Sequence, residues 1–275
     1  SRANFPCSAT LSTDASDASG PGVGVGVAGR AAVGSTGGAV DGEEPDPQNI
    51  AVNMILQPGM MLTANSPFTA RRLAALHGVE PPVVLPMIEP EQYRSGRRGD
   101  AVLMVNPTLM KGVEIFFRLA ERRPTLRFVA IESWNVSDAW RLILGNRARA
   151  LGNVELWPAT TDMRDAYAAT RLLLVPSIHE ETFGRIVAEA QLSGIPAVAA
   201  DRGALKETVG KGGIVVPIDA EIAYWAAALD RVNAPEAYAD YAAAARAESE
   251  RPERRPERIV ESFLGALEHL SHTGS

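Results

Sequence analysis

The sequence is poor in several things that would each point to a class of protein. It holds one cysteine, Cys7, in 275 residues. A lone thiol forms no internal disulfide, so nothing in the chain calls for an oxidising compartment. Positive charge is not in excess either. With 27 Lys and Arg against 33 Asp and Glu, the net charge is −6, which disfavours a broad electrostatic grip on nucleic acid or an anionic membrane. No apolar run of about 18 residues is present, and no basic segment followed by an apolar one opens the chain. Neither a spanning helix nor a signal peptide is therefore expected, and a cytoplasmic protein is the simplest reading. There is no Asp-x-Asp pair and no His/Cys cluster with ligand spacing, so no metal is expected. Aromatic residues make up 6% and histidines number four.

What is present divides the chain into four stretches. Residues 1–58 are rich in Gly, Ala, Ser and Asp, and bury too little to offset the entropy of ordering them. The run Gly20-Pro21-Gly22-Val23-Gly24-Val25-Gly26 looks like a phosphate loop, but it has no strand before it and no amphipathic helix after it. Residues 59–99 start with a short apolar run, Gly59 to Ala64, expected as a strand. Ser66-Pro67 then starts a helix that Gly78 closes, and a proline-rich, later basic, connection follows. From 100 to 218 strands and helices alternate. Strands are expected at 101–105, 126–131, 154–157, 172–175, 197–200 and 214–216, with helices at 111–122, 138–149, 162–169, 184–193 and 203–209 between them. Strands apolar on both faces and separated by helices imply an α/β Rossmann-like parallel sheet covered on both sides, with ligands at its carboxyl edge. Residues 219–275 are Ala-rich and helical, broken near Asn233-Ala234-Pro235 and Arg251-Pro252.

Chemistry concentrates in Val175-Pro176-Ser177-Ile178-His179-Glu180-Glu181-Thr182-Phe183-Gly184-Arg185-Ile186-Val187-Ala188-Glu189, followed by Gly194-Ile195-Pro196. Glu181 falls in a loop and Glu189 about one turn into the next helix, so both carboxylates can face one cleft. This Glu-x7-Glu spacing, with Phe183-Gly184 after the first Glu, resembles the signature of glycosyltransferase family 4, the group 1 glycosyltransferases.

The resemblance implies a GT-B architecture, sugar transfer from a nucleoside-diphosphate sugar with retention, and no cofactor beyond that donor. It assigns Glu181 to the donor sugar hydroxyls and Glu189 to the ribose. The backbone of Phe183, Gly184, Arg185, Ile186 and Val187, at a helix N-terminus, would meet the phosphates. Upstream, Met104 to Gly112 is similar to the family's Arg and Lys-Gly phosphate motif: Lys111 fits the lysine, while Asn106 stands where the arginine is expected. Arg185 is a candidate to restore that charge. His179 reads as a polar loop residue, Trp157, Trp134 and Trp225 as core, and Asn135-Val136-Ser137 as a chance glycosylation triplet. Residues 1–58 cannot build the acceptor-side domain that the resemblance implies, so a partner chain is one source of it. Two other readings stay open: a module that binds nucleotide sugar without turnover, and a sugar-nucleotide epimerase of the same fold.

Overall fold

The computed structural model describes residues 61–96, 99–133 and 136–273, with side chains up to residue 268. The expected features at Cys7, Gly20 to Gly26, Trp134 and Asn135 lie outside them. The first helix, α1 (Pro67–His77), starts as expected. Ser66 is its N-cap, with a hydroxyl that accepts from the Thr69 N–H, and Gly78 ends it in a left-handed conformation. The strand expected from Gly59 to Ala64 is not formed over its described part. Residues 61–63 carry no regular structure, and Ala64 makes a single parallel bridge to Val83. One apolar stretch without a neighbour of matching length has no ladder to join. A four-residue helix, α2 (Pro90–Tyr93), falls in the proline-rich connection where none was expected.

Six strands follow: β1 (Ala101–Val105), β2 (Phe128–Ile131), β3 (Val154–Trp157), β4 (Thr170–Val175), β5 (Ala197–Ala200) and β6 (Gly213–Val216). They form one sheet in the order β3-β2-β1-β4-β5-β6, with every pair parallel. Between them run α3 (Val113–Arg122), α4 (Asp138–Leu151), α5 (Arg164–Ala169), α6 (Arg185–Leu192) and α7 (Leu205–Val209); α8 (Ile222–Asn233), α9 (Pro235–Ser249) and α10 (Pro256–Thr273) complete the chain. Helix α3 starts two residues later than the expected 111, because Gly112 sits in a left-handed conformation as its N-cap.

The helices sort into two layers by what they touch. Helices α3, α4 and α8 pack together on one side, and α6 packs with α2, α7 and α9 on the other. Strands β1, β2, β4 and β5 are buried on both faces, which is why their sequences are apolar without alternation. Trp225 of α8 lies at the centre of the core together with Phe116 and Phe117 of α3 and Phe128 of β2. The chain runs outward from β1 to β3, then returns to place β4 on the other side of β1. Between β1 and β4 the connections therefore leave in opposite directions, which opens a crevice at the carboxyl ends of these two strands.

Candidate active site

At that crevice lie Asn106, Lys111 and the loop that carries Glu181. The chain leaves β1 at Asn106 and turns through Lys111 and Gly112 into α3; it leaves β4 at Pro176 and runs through Ser177 to Gly184 into α6. The two exits touch directly. The Ile178 N–H donates to the Met110 carbonyl at 2.9 Å, and a Cβ on Gly112 would overlap the Pro176 carbonyl oxygen. This approach brings together side chains seventy positions apart: the Lys111 ammonium donates to Glu181 Oε1 at 2.6 Å. The Ser177 hydroxyl donates to the same oxygen at 2.6 Å. Burial pushes the Glu181 carboxyl up, but Lys111 and Ser177 outweigh it and hold the group below the usual carboxylate range.

Glu181 is fixed through its backbone as well. It forms a parallel bridge with Gly203, and its carbonyl accepts the Ala204 N–H at 2.7 Å. A Cβ on Gly203, which has φ +63°, would collide with the Glu181 backbone. Arg202 adds a third tie by donating to the Ile178 carbonyl at 2.9 Å. From the other side α1 docks on the same loop. Ser66 and Thr69 donate to the Thr182 carbonyl at 2.5 and 3.1 Å, and Asn65 to the Thr182 hydroxyl at 3.0 Å.

Glu189 belongs to a second cluster. It is 5% exposed, accepts from the Tyr167 hydroxyl at 2.8 Å and from Arg185 Nε at 2.7 Å. Arg185 also donates to the Tyr93 hydroxyl at 3.0 Å. The guanidinium expected to add charge at the phosphates is thus engaged, one helical turn along, on the second glutamate. Burial dominates at Glu189 and holds its carboxyl above the ordinary value in spite of Tyr167 and Arg185. Ionised, the group costs stability; protonated, it does not. Glu189→Gln is accordingly expected to melt above the parent at neutral pH. A raised carboxyl pKa gives stability that is present at low pH and lost as pH rises, so the advantage of the glutamine should vanish on acidification. A melting temperature unchanged at neutral pH would contradict this.

Between the clusters lies the start of α6. Its N-cap is Gly184, at φ 80° and with no side-chain capping bond; the Val187 N–H, expected from the sequence to be free for phosphates, instead donates to the Gly184 carbonyl at 2.9 Å, because it already belongs to the first turn of the helix. Phe183 and Val187 are buried, and Ile186 packs against the core. Asn106 is the one non-glycine residue with positive φ among the described residues, at 60°. Its side chain is 3% exposed, and neither the carboxamide nitrogen nor its oxygen has a hydrogen-bond partner. A left-handed backbone and an unsatisfied buried amide at one position are features that cluster at functional sites.

Some participants were not visible in the sequence. Tyr167 and Tyr93 come from α5 and α2, with no motif around them. His179, read from the sequence as a polar loop residue, lies 3.4 Å from the Lys111 nitrogen and 3.5 Å from Glu181 Oε1. Trp157 is half-buried against the core under Arg127, and Trp225 is fully buried, as expected of both. Among the described residues no group of three or more His, Cys, Asp or Glu is placed to hold a metal ion, and no helix is long and apolar enough to cross a membrane.

The family model described as Glycosyl transferases group 1 matches residues 110–233, the stretch that contains Lys111, Glu181 and Glu189. D-inositol 3-phosphate glycosyltransferase of Mycobacterium tuberculosis (strain ATCC 25618 / H37Rv) is 28% identical over 218 residues, covering 70% of this chain and 45% of the relative. These matches support the group 1 glycosyltransferase family. Solved structures agree on the fold. A glycosyltransferase from Rickettsia africae superposes with a TM-score of 0.69 at 14% identity, over 84% of this chain and 68% of that one. Anabaena HepE in complex with UDP-glucose gives 0.67 at 20% identity, over 82% and 67%. Sucrose-phosphate synthase from Thermosynechococcus elongatus gives 0.69 at 17% identity, over 84% and 63%. The neighbours are GT-B glycosyltransferases, and the Rossmann-like sheet of this chain is similar to part of theirs. The chain spans 45% of the length of the curated relatives it matches.

Proposed function

We propose that this chain contains the donor-binding half of a retaining glycosyltransferase that takes a sugar from a nucleoside diphosphate. The observation that carries the reading is the Lys111–Glu181 contact in the β1/β4 crevice, beside a helix that starts on an uncapped glycine. An ammonium and a row of backbone N–H groups suit the charge that develops on a departing diphosphate. A carboxylate within the same network accepts two hydroxyl hydrogen bonds, as a sugar ring presents them. In this reading Glu181 holds the donor sugar. Glu189, with Tyr167 and Arg185 around it, holds the ribose. The phosphates lie against Lys111 and the α6 start, and Asn106 takes a polar atom of the ligand in place of the partner it lacks inside the protein. No metal enters the scheme, and the acceptor is bound by a domain that the described residues do not include.

UDP-glucose bound to a related fold in the Anabaena protein makes nucleotide sugars the first panel to test. Calorimetric titration with UDP-, GDP- and ADP-sugars is expected to reveal binding of at least one. Lys111→Ala should weaken the corresponding nucleoside diphosphate. Where a sugar nucleotide binds, incubation with candidate acceptors should release nucleoside diphosphate and give a product with the donor's anomeric configuration, read by NMR. No binding across the panel, or an epimerised donor as the only product, would overturn the reading.

A further inference from the structure

His179 is held by two contacts that fix which of its nitrogens carries the proton. Nδ1 lies 3.2 Å from the Met110 carbonyl oxygen, an atom that only accepts. The ring's N–H is therefore on Nδ1 in the neutral form, and the lone pair of Nε2 faces the other way. What it faces is the active-site pair: Lys111 Nζ at 3.4 Å and Glu181 Oε1 at 3.5 Å. Met110, which anchors the ring, is the residue next to Lys111, and its carbonyl also accepts the Ile178 N–H. The imidazole thus bridges the β1 exit loop and the β4 exit loop at the point where their functional side chains meet.

We propose that His179 is a positioning residue for Lys111: neutral, it accepts from the ammonium and keeps it in the crevice; protonated, it turns the same nitrogen into a donor to Glu181 and repels Lys111. One nitrogen cannot serve both partners. Neutral Nε2 attracts the ammonium and is repelled by the carboxylate; after gaining a proton from solvent it attracts the carboxylate and stands as a second cation beside the first. At 3.4 Å that like-charge repulsion is not screened by salt as it would be at the surface, since Lys111 and Glu181 are 18% and 14% exposed. The other charged groups near the ring are tied elsewhere. Arg202 donates to the Ile178 carbonyl, next to His179, and Glu180 pairs with Arg72 of α1 at 3.4 Å. The network has the composition of a proton-controlled clasp on the cation that would meet the diphosphate. The link to turnover rests on the proposed glycosyl transfer, whereas the tautomer and the clasp do not.

Two measurements separate these. In the first, 15N-resolved NMR of the imidazole in the full chain reads the clasp without any substrate. The neutral ring is expected as the Nδ1–H tautomer, with an Nε2 resonance that moves in Lys111→Ala. An Nε2–H tautomer, or an Nε2 signal indifferent to Lys111, would overturn the proposal whatever the chain catalyses. In the second, kcat/KM and diphosphate affinity are followed from pH 5 to 8.5. The wild type should lose both on the acidic side of that range. His179→Gln, which keeps an acceptor and a donor but does not titrate, should retain at least about a third of the activity at pH 8 and lose the acidic limb. His179→Ala should fall about tenfold at pH 8, through weaker diphosphate binding and lower kcat together. An acidic limb that persists in His179→Gln, or full activity in His179→Ala, rejects the role of the histidine. A wild type that binds no nucleotide but shows the expected tautomer rejects the proposed function and leaves the clasp standing.

Discussion

In the proposed glycosyl transfer, Lys111→Ala is expected to slow turnover about a hundredfold or more. Removal of one preorganised donor from a site of developing negative charge costs on the order of 3 kcal/mol of barrier, and Lys111 is the ammonium that the fold delivers to the crevice. Its loss also leaves Glu181 buried without its main counter-charge. The carboxyl that Lys111 and Ser177 now hold low should then rise. A carboxylate with a depressed pKa stabilises the fold above its unfolded value, and that contribution is lost as pH falls through the folded value. The variant should therefore be less stable than the parent near neutral pH, and the difference should shrink on acidification. Steady-state kinetics at saturating donor and thermal melts from pH 3 to 8 check both halves. A turnover within threefold of the parent would remove Lys111 from the chemistry, and a pH-independent stability difference would remove the ion pair from the fold.

Gly112→Ala should be more damaging to the structure than any substitution of a charged site residue. The position has φ +78°, and a Cβ there overlaps the Pro176 carbonyl oxygen, a backbone atom that has no side-chain rotamer to escape through. The left-handed conformation alone costs a non-glycine residue about 1–2 kcal/mol, and overpacking of this kind adds about 1–3 kcal/mol. A loss of about 3 kcal/mol in chemical denaturation is expected. Forcing the β1 and β4 exit loops apart should also break the Ile178–Met110 bond and separate Lys111 from Glu181, so that nucleotide affinity falls even where the chain still folds. A variant with unaltered stability would show that the loops can part without cost.

The fold was legible in the sequence wherever breakers bound a short apolar run. Strands at 101–105, 154–157 and 197–200 have the expected limits because Gly, Pro or charged residues bound them. The second strand begins at Phe128 rather than 126. Arg127 there is turned to the Glu155 and Asp100 carboxylates, which local pattern does not foretell. Gly59 to Ala64 misled because apolarity predicts burial, not a partner. At the site, Lys111, Glu181 and Glu189 stood out by spacing, and the contact between the first two followed from strand order. The division into two clusters did not. Tyr167 reaches Glu189, and Tyr93 reaches Arg185, from helices whose packing no local pattern specifies. The role of His179 depends on a carbonyl sixty-nine positions away. Arg185 shows the opposite failure: its place at a helix start suggested the phosphates, while the i,i+4 geometry of the helix delivered it to Glu189.

Strand order also dictates when the crevice can come into being. β1 pairs with β2 and β2 with β3 through short local crossovers, so a nascent chain can assemble that half-sheet as soon as β3 has left the ribosome. Lys111 is then in place with nothing opposite it. Glu181 arrives only after β4 has inserted beside β1, and its backbone is pinned only when Gly203 follows from beyond β5. In chain order the pocket is thus completed late, and β1 keeps one unpaired edge until β4 has been added.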